Sequence, residues 1–252
     1  SRGKSFSMGN WSGPTIQHGM LQGVRYRHML NLTDDNKILL SSDFKNRNNL
    51  EIHSLTTNKL LKRYNHNLGR ILSIKKSPVN DSIAFSNHKH QLHIFDIKKG
   101  KGVNIAHSSN HPLQFNWSPD GKFIAYSTSK TSRCSIIKIY DTKLKKSFEA
   151  TDPVNTDFSP VFSSDGKYLA FISKRTFNPV YDGIQFDLNF TESEKPYIIC
   201  LSKDTDSPFI KNPNPPEVKK NKKTSKTKKI NVKIDFNGIK DRILEIPIKE
   251  SI

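Results

Sequence analysis

Cysteine is scarce in this sequence, which has only Cys134 and Cys200 among 252 residues and no C-x-x-C spacing. Such usage indicates neither a disulfide framework nor a zinc site, and it favours a reducing compartment. No hydrophobic run approaches the roughly 18 residues that a membrane span needs, and no secretory signal begins the chain. We therefore predict a cytoplasmic protein that has no membrane among its partners.

Acidic residues are also few, with 23 Asp and Glu against 41 Lys and Arg, so the net charge is +18. Seven of the lysines fall in residues 219–229 (KKNKKTSKTKK), a stretch that contains no acid. A lysine run can bind nucleic acid, but single strands are usually held by aromatic side chains between the cations, and this stretch has none. The pattern favours a solvated loop over a nucleic-acid partner.

Motifs of the common enzyme classes are missing, since there is no H-E-x-x-H, no P-loop and no G-x-G-x-x-G. Residues 9–13 (GNWSG) place two residues before the serine and so differ from the G-x-S-x-G nucleophile elbow. On an extended strand, His88 and His90 would share a face near His93, but no carboxylate or cysteine nearby completes a metal site. We predict no catalytic residue, no cofactor and no metal.

Turn residues, by contrast, are abundant and regularly placed. Residues 115–129 (FNWSPDGKFIAYSTS) predict a strand, a tight turn at Pro-Asp-Gly and a second strand. Proline presets the first turn dihedral, aspartate bonds its own backbone, and glycine accepts a positive φ. A two-stranded hairpin is marginally stable alone in water, so this unit must pack against copies or neighbours.

Copies of the unit are present, with turns at Asp35, Asn80, Asp120 and Asp165 that lie 40 to 45 residues apart. A further strand follows each hairpin, and a period of about 40–45 residues is typical of a four-stranded β-propeller blade. We predict an all-β protein, a β-propeller of about four blades plus partial strands, and an irregular β-sandwich is the alternative fold. Common rings have about six or seven blades, so we expect an incomplete part of a larger ring.

Three regions follow from this pattern. Residues 1–210 hold the blades, the first of them truncated, and residues 211–229 form a Pro- and Lys-rich inserted loop that we expect to be disordered. Residues 230–252 contain the closing strand of the propeller, predicted at 230–236, and the start of a connection to further domains. Because the chain begins at Ser1 with the pattern already under way, we expect it to be a piece of something longer.

The segments between the blades are more distinctive than the blades themselves. They include residues 2–27, R-T-F-x-P-x-Y-D at 175–182, F-D-L-x-F at 186–190, K-P-Y at 195–197 and D-F-N-G-I-K-D-R at 235–242. Together they resemble the tricorn protease family, in particular its second and larger N-terminal propeller. The likeness extends to about Ile248 and is interrupted by the lysine-rich run, which departs from the family pattern.

This resemblance implies that the chain is part of a larger cytosolic serine peptidase, which degrades oligopeptides downstream of the proteasome. It also implies that this parent enzyme forms a homo-oligomer. It further implies that this segment gates and guides peptide substrates and that the catalytic residues lie outside it. Cations at the blade connections would attract peptide carboxylates, and the candidates are Arg25, Arg27, Lys174 and Arg175. The alternative function is a freestanding, TolB-like propeller that serves as a non-enzymatic scaffold for protein partners.

Overall fold

The computed structural model describes residues 3–65, 68–110, 113–176, 179–182, 187–189, 193–210 and 230–248. The chain divides into two compact units, Ser1–Ser108 and Ser109–Ile252. Within the described residues, helix is limited to two short 3₁₀ segments, Phe44–Asn46 and Ile239–Arg242. No described helix is long and apolar enough to cross a membrane. The predicted loop at 211–229 lies outside the described residues.

The first unit contains a hairpin and two four-stranded sheets. The hairpin and the first sheet consist of β1 (Ser5–Ser7), β2 (Ile16–His18), β3 (Tyr26–Asn31), β4 (Lys37–Ser42), β5 (Asn49–Ser54) and β6 (Leu60–Tyr64). The second sheet consists of β7 (Ile71–Lys76), β8 (Ser82–Asn87), β9 (Gln91–Asp96) and β10 (Lys101–His107). In both sheets each strand pairs antiparallel with the next strand along the chain.

The second unit repeats this arrangement. The third sheet of the chain, which is the first of this unit, consists of β11 (Phe115–Trp117), β12 (Phe123–Ser129), β13 (Ser135–Asp141) and β14 (Lys146–Glu149). Next come β15 (Asp157–Phe162), β16 (Tyr168–Ser173), β17 (Val180–Asp182), β18 (Asp187–Asn189), β19 (Lys195–Cys200) and β20 (Ile243–Glu245). The fourth sheet has the order β15-β16-β19-β20, while β17 and β18 pair as a separate hairpin. Four such meanders confirm the predicted blades and are not the two packed sheets of a sandwich.

The hairpin turns use the chemistry that the sequence indicates. The carboxylate of Asp120 accepts hydrogen bonds from Ser118 Oγ at 2.7 Å and from the backbone N–H of Lys122 at 3.2 Å, and Gly121 has a φ of 68°. Asp165 makes the same pair of bonds one sheet later. Because each turn satisfies its own polar groups, strand direction reverses at these points whatever packs around them.

Alternating side chains of the central strands separate into two faces. In β4, Leu39 joins a core with Phe85 of β8 and Phe95 of β9, whereas Ile38 and Leu40 pack on the other face of the sheet. The second unit has its own core, which contains Phe171, Leu169 and Ile137 among others. Period-two burial on both faces is expected of a blade that lies between neighbours.

Two details of the predicted strands were wrong or missing. Residues 230–236, predicted as the closing strand, belong to no sheet, and β20 (Ile243–Glu245) closes the fourth sheet instead. The extended segment is held by other groups: the N–H of Val232 donates to Asp120 Oδ2 at 2.9 Å, and Phe236 stacks on Phe148. The fourth strands β6, β10 and β14 were not predicted separately. Polar residues interrupt their apolar pattern, and most of their residues are partly or fully exposed.

Arg242 fixes the chain just before this closing strand. Its guanidinium donates to the backbone carbonyls of Cys200 at 2.9 Å, Asn237 at 3.1 Å and Leu201 at 3.3 Å, and also to that of Asp235. Asp235 in turn accepts from Ser202 Oγ at 2.9 Å. The planar fork of arginine suits several acceptors at once, so this residue joins the end of β19 to the start of β20.

We expect Arg242→Lys to lower the free energy of unfolding of the second unit by about 2 kcal/mol, since an ammonium cannot reach all four carbonyls. Urea unfolding followed by the fluorescence of Trp117, which is 8% exposed, measures the loss. Lys240→Met is the control, because the partner of Lys240 is a partly exposed Asp152. Equal unfolding midpoints for the two variants would contradict the assigned role of Arg242.

Candidate functional site

A polar cavity of about 290 Å³ opens in the first unit, where β3 begins and β4 ends. Its lining includes three arginines, Arg25, Arg27 and Arg70, and two asparagines, Asn46 and Asn48. All three arginines belong to the exposed residues of the chain. The guanidinium and amide groups supply N–H donors, so the cavity suits an anion better than a cation or an apolar ligand.

Charge in this cavity is unbalanced. Asp43 contributes the carboxylate of the lining; its Oδ1 accepts the backbone N–H of Arg25 at 2.7 Å, and its Oδ2 lies 3.9 Å from Arg25 Nε. Within the described part of the chain, the side chains of Arg27 and Arg70 have no carboxylate partner. With three guanidinium groups and one carboxylate, the cavity carries an excess of two positive charges.

The structure thus brings two of the predicted cations, Arg25 and Arg27, into one site and adds Arg70 to them. Arg70 directly precedes β7, as Arg25 directly precedes β3, and the two arginines are 45 residues apart. They therefore occupy equivalent positions in successive blades. The repeat spacing was the signal that could have identified Arg70 from the sequence.

Lys174 and Arg175, the other two predicted cations, lie in the second unit and are ion-paired. Lys174 Nζ lies 3.0 Å from Glu194 Oε1, and both side chains are partly exposed. Arg175 Nη2 lies 2.9 Å from Asp157 Oδ2, and the side chain of Asp157 is fully buried. The guanidinium of Arg175 also sits 5.3 Å from the ring centres of Phe171 and Tyr197. The ion pair with Asp157 neutralises the charge of Arg175, and the ring contacts add to the stability of the fourth sheet.

A buried acid lies behind the arginine-lined cavity. Ser42, in the cavity lining, donates to Glu51, whose side chain is fully buried and also binds Arg63 Nε at 3.0 Å and His53 Nε2 at 2.8 Å. Burial by itself would raise the pKa of Glu51, but the hydrogen bonds from His53, Ser42 and Arg63 and the charge of Arg63 outweigh it and lower that pKa. Glu51 is therefore an ionised structural group.

The histidines considered as metal ligands are not among the residues that line this cavity, although His88 contacts the backbone of Arg70. His88 and His90 occupy the turn between β8 and β9 and do not share a strand, and His88 Nδ1 accepts the backbone N–H of Arg70 at 2.8 Å. His93 stacks on Phe85 with 5.0 Å between ring centres. Within the described residues, no group of three or more His, Cys, Asp or Glu side chains could hold a metal ion.

Known proteins match this chain over its whole length. The family described as "Tricorn protease second beta propeller domain" matches residues 1–252. The chain belongs to the tricorn protease family. It is 32% identical to the tricorn-like protease C-terminal subunit of Sulfurisphaera tokodaii and 33% identical to the tricorn protease homolog of Saccharolobus solfataricus, in each case over 99% of this chain. A crystal structure of the tricorn protease superposes on all of it with a TM-score of 0.81 at 21% identity, which shows the shared propeller fold.

The tricorn relatives are much longer than this propeller segment. The chain spans 27% of the Sulfurisphaera protein, 22% of the Saccharolobus protein and 24% of the crystallised tricorn protease. The tricorn resemblance noted in the sequence is confirmed, and its described motifs have structural roles here. Arg175 pairs with Asp157, Lys195 pairs with Glu245 at 3.0 Å, and Arg242 holds backbone carbonyls.

Proposed function

We propose that this chain admits and guides peptide substrates in a tricorn-type serine peptidase and that the catalytic residues lie outside it. Two proteins named as a tricorn-like protease subunit and a tricorn protease homolog are 32% and 33% identical to it over 99% of its length. No nucleophile motif occurs in the 252 residues. We infer a cytoplasmic parent enzyme that cuts oligopeptides downstream of the proteasome and works as a homo-oligomer.

The observation that carries this proposal is the arginine-lined cavity. A peptide substrate ends in a carboxylate, and a cationic wall raises the local concentration of that group and orients it. Arg25 and Arg27 supply this wall in our proposal, and Arg27 has no competing carboxylate within the described residues. The guiding role of Lys174 and Arg175 stays a prediction, since both side chains are occupied by acids of the chain itself.

In the complete peptidase, we expect Arg27→Gln to lower kcat/KM about fivefold for short peptides with a free C-terminal carboxylate, mainly through KM, because one unpaired cation is lost. Turnover of the same peptides with an amidated C terminus should stay unchanged. Steady-state kinetics at low and at physiological salt measures the difference, which should shrink as salt screens the charges.

The matched control is Arg133→Gln, which removes the same charge from an exposed arginine of the second unit, outside the cavity. A second control is the 252-residue chain alone, which should hydrolyse neither peptide. Equal losses for Arg27→Gln and Arg133→Gln, or equal effects on the acid and amide peptides, would refute the guiding role.

A further inference from the structure

The excess charge of the cavity suggests a more specific ligand than a single carboxylate. Arg25 shares its charge with Asp43, whereas Arg27 and Arg70 retain theirs within the described residues. One carboxylate would leave one of these two guanidinium groups without a counter-charge. Two carboxylates on one small ligand would neutralise both, and each guanidinium can hold a carboxylate through two parallel hydrogen bonds.

The loop that forms one wall of the cavity is held by contacts with the rest of the first sheet. Asn49, 3% exposed, donates its side-chain amide to the carbonyls of Phe44 at 3.0 Å and Arg47 at 2.8 Å. Lys45 and Asn46 have φ values of 55° and 57°, in the left-handed region that costs energy for residues with a side chain.

The ring of Phe44 lies 3.7 Å from the guanidinium carbon of Arg63, which stacks on it. Arg63 is itself anchored by the buried Glu51 at 3.0 Å. The wall that carries Asn46 is therefore fixed before any ligand arrives, so little ordering cost remains to be met on binding.

We propose that this cavity binds the C-terminal residue of peptides that end in Asp or Glu, taking the α-carboxylate and the side-chain carboxylate together. A volume of about 290 Å³ fits one terminal residue and part of the next, at the lower end of the range for small-molecule sites. Arg27 and Arg70 bind the two carboxylates, and the amides of Asn46 and Asn48 donate to the oxygens left over. This inference rests on the proposed function and adds a preference to it.

The test is calorimetric titration of the 252-residue chain with four N-acetylated tripeptides: Ala-Ala-Glu and Ala-Ala-Gln, each with a free and an amidated C terminus. We expect the free Ala-Ala-Glu peptide to bind about tenfold more tightly than either peptide with one carboxylate. The doubly neutral peptide should bind weakest. The preference should fall as salt is raised to physiological strength.

Arg27→Gln and Arg70→Gln should each remove most of this tenfold preference, and Arg133→Gln should leave it intact. Equal affinities for the Glu- and Gln-ended free peptides would overturn the inference. So would inorganic phosphate that binds as tightly as the Glu-ended peptide, because the cavity would then be an oxyanion site without peptide selectivity.

These outcomes are separate from those that decide the proposed function. If the chain binds both free peptides equally but turnover by the peptidase still depends on Arg27, the acidic preference is rejected and the guiding role is kept. If the chain prefers the Glu-ended peptide but Arg27→Gln does not change turnover by the peptidase, the binding site is supported and the guiding role is rejected.

Discussion

Arg175→Met should lower the free energy of unfolding of the second unit by about 3–5 kcal/mol, which is the usual cost of leaving one member of a buried ion pair alone. Asp157 is fully buried, and its Oδ2 lies 2.9 Å from Arg175 Nη2. Arg175 Nε also donates to Ser173 Oγ at 2.8 Å, and the Ser173 hydroxyl in turn donates to Asp157. The substitution therefore also removes a hydrogen bond to the Ser173 hydroxyl. Methionine keeps apolar contact with the rings of Phe171 and Tyr197 but supplies no charge.

Urea unfolding followed by Trp117 fluorescence measures this loss. Trp11, in the other unit, is 96% exposed and is replaced by Phe in every protein compared. The matched control is Lys174→Met, whose partner Glu194 is partly exposed, so its loss should be at most about 1 kcal/mol. If the two Met variants unfold at the same urea concentration, Arg175 is not the structural cation described above.

Arg175 therefore cannot be tested as a peptide contact by simple removal. A variant such as Arg175→Glu would place a second acid beside the buried Asp157 and unfold the fourth sheet before any peptide is offered. Loss of activity in that variant would report on folding. Arg27 is exposed and unpaired within the described residues, so its substitution separates binding from stability.

In the first unit, Glu51→Gln should cost about 3 kcal/mol at neutral pH, because the charge that compensates Arg63 disappears from a fully buried position. The cost should shrink as the pH falls. The folded-state pKa of Glu51 is lowered, so its contribution is complete above its unfolded pKa of about 4.3 and is lost as the pH falls through the lower folded value. Tyr26, His53 and Arg63 are the other titratable groups that face it.

The measurement is urea unfolding at neutral pH and at about pH 3, followed through the backbone amide signal of Leu50 in the NMR spectrum. Asp34→Asn is the control in the same unit. Asp34 pairs with Lys37 at 2.7 Å on the surface, with its side chain 52% exposed, and its loss should leave the urea midpoint nearly unchanged. A Glu51→Gln deficit of the same size at both pH values would show that the ionised form does not stabilise the fold.

The parts of the fold that were predictable are those decided over a few residues. The turns at Asp120 and Asp165 satisfy their own backbone, so the hairpins and their spacing could be read from the sequence. The outer strand β10 was not predicted because it is largely exposed, with Val103 61% accessible, and its apolar alternation is limited to Val103 and Ile105. Residues 230–236 alternate like a strand, but their hydrogen bonds go to distant groups and not to a ladder.

The site was predictable only in part, for a similar reason. Arg25 and Arg27 were predicted because they lie at a connection between blades, and the 45-residue period could have identified Arg70 as well. Whether a cation is free depends on acids that only the fold brings close. Asp157 is paired across β15 and β16 with Ser173, and Arg175 follows two residues later. The ion pair thus joins residues that are 18 apart in the sequence, and no local sequence pattern indicates it.

The large sequence separation between β19 and β20 has a consequence for synthesis on the ribosome. About forty residues separate the end of β19 from β20. At a synthesis rate of ~5–20 residues per second, one edge of β19 therefore stays unpaired for roughly 2–9 s before β20 has been made. An unpaired edge of this kind invites pairing with another nascent chain. The seven lysines of residues 219–229 are made during that interval, and we expect their mutual repulsion to keep neighbouring nascent copies apart until the sheet closes.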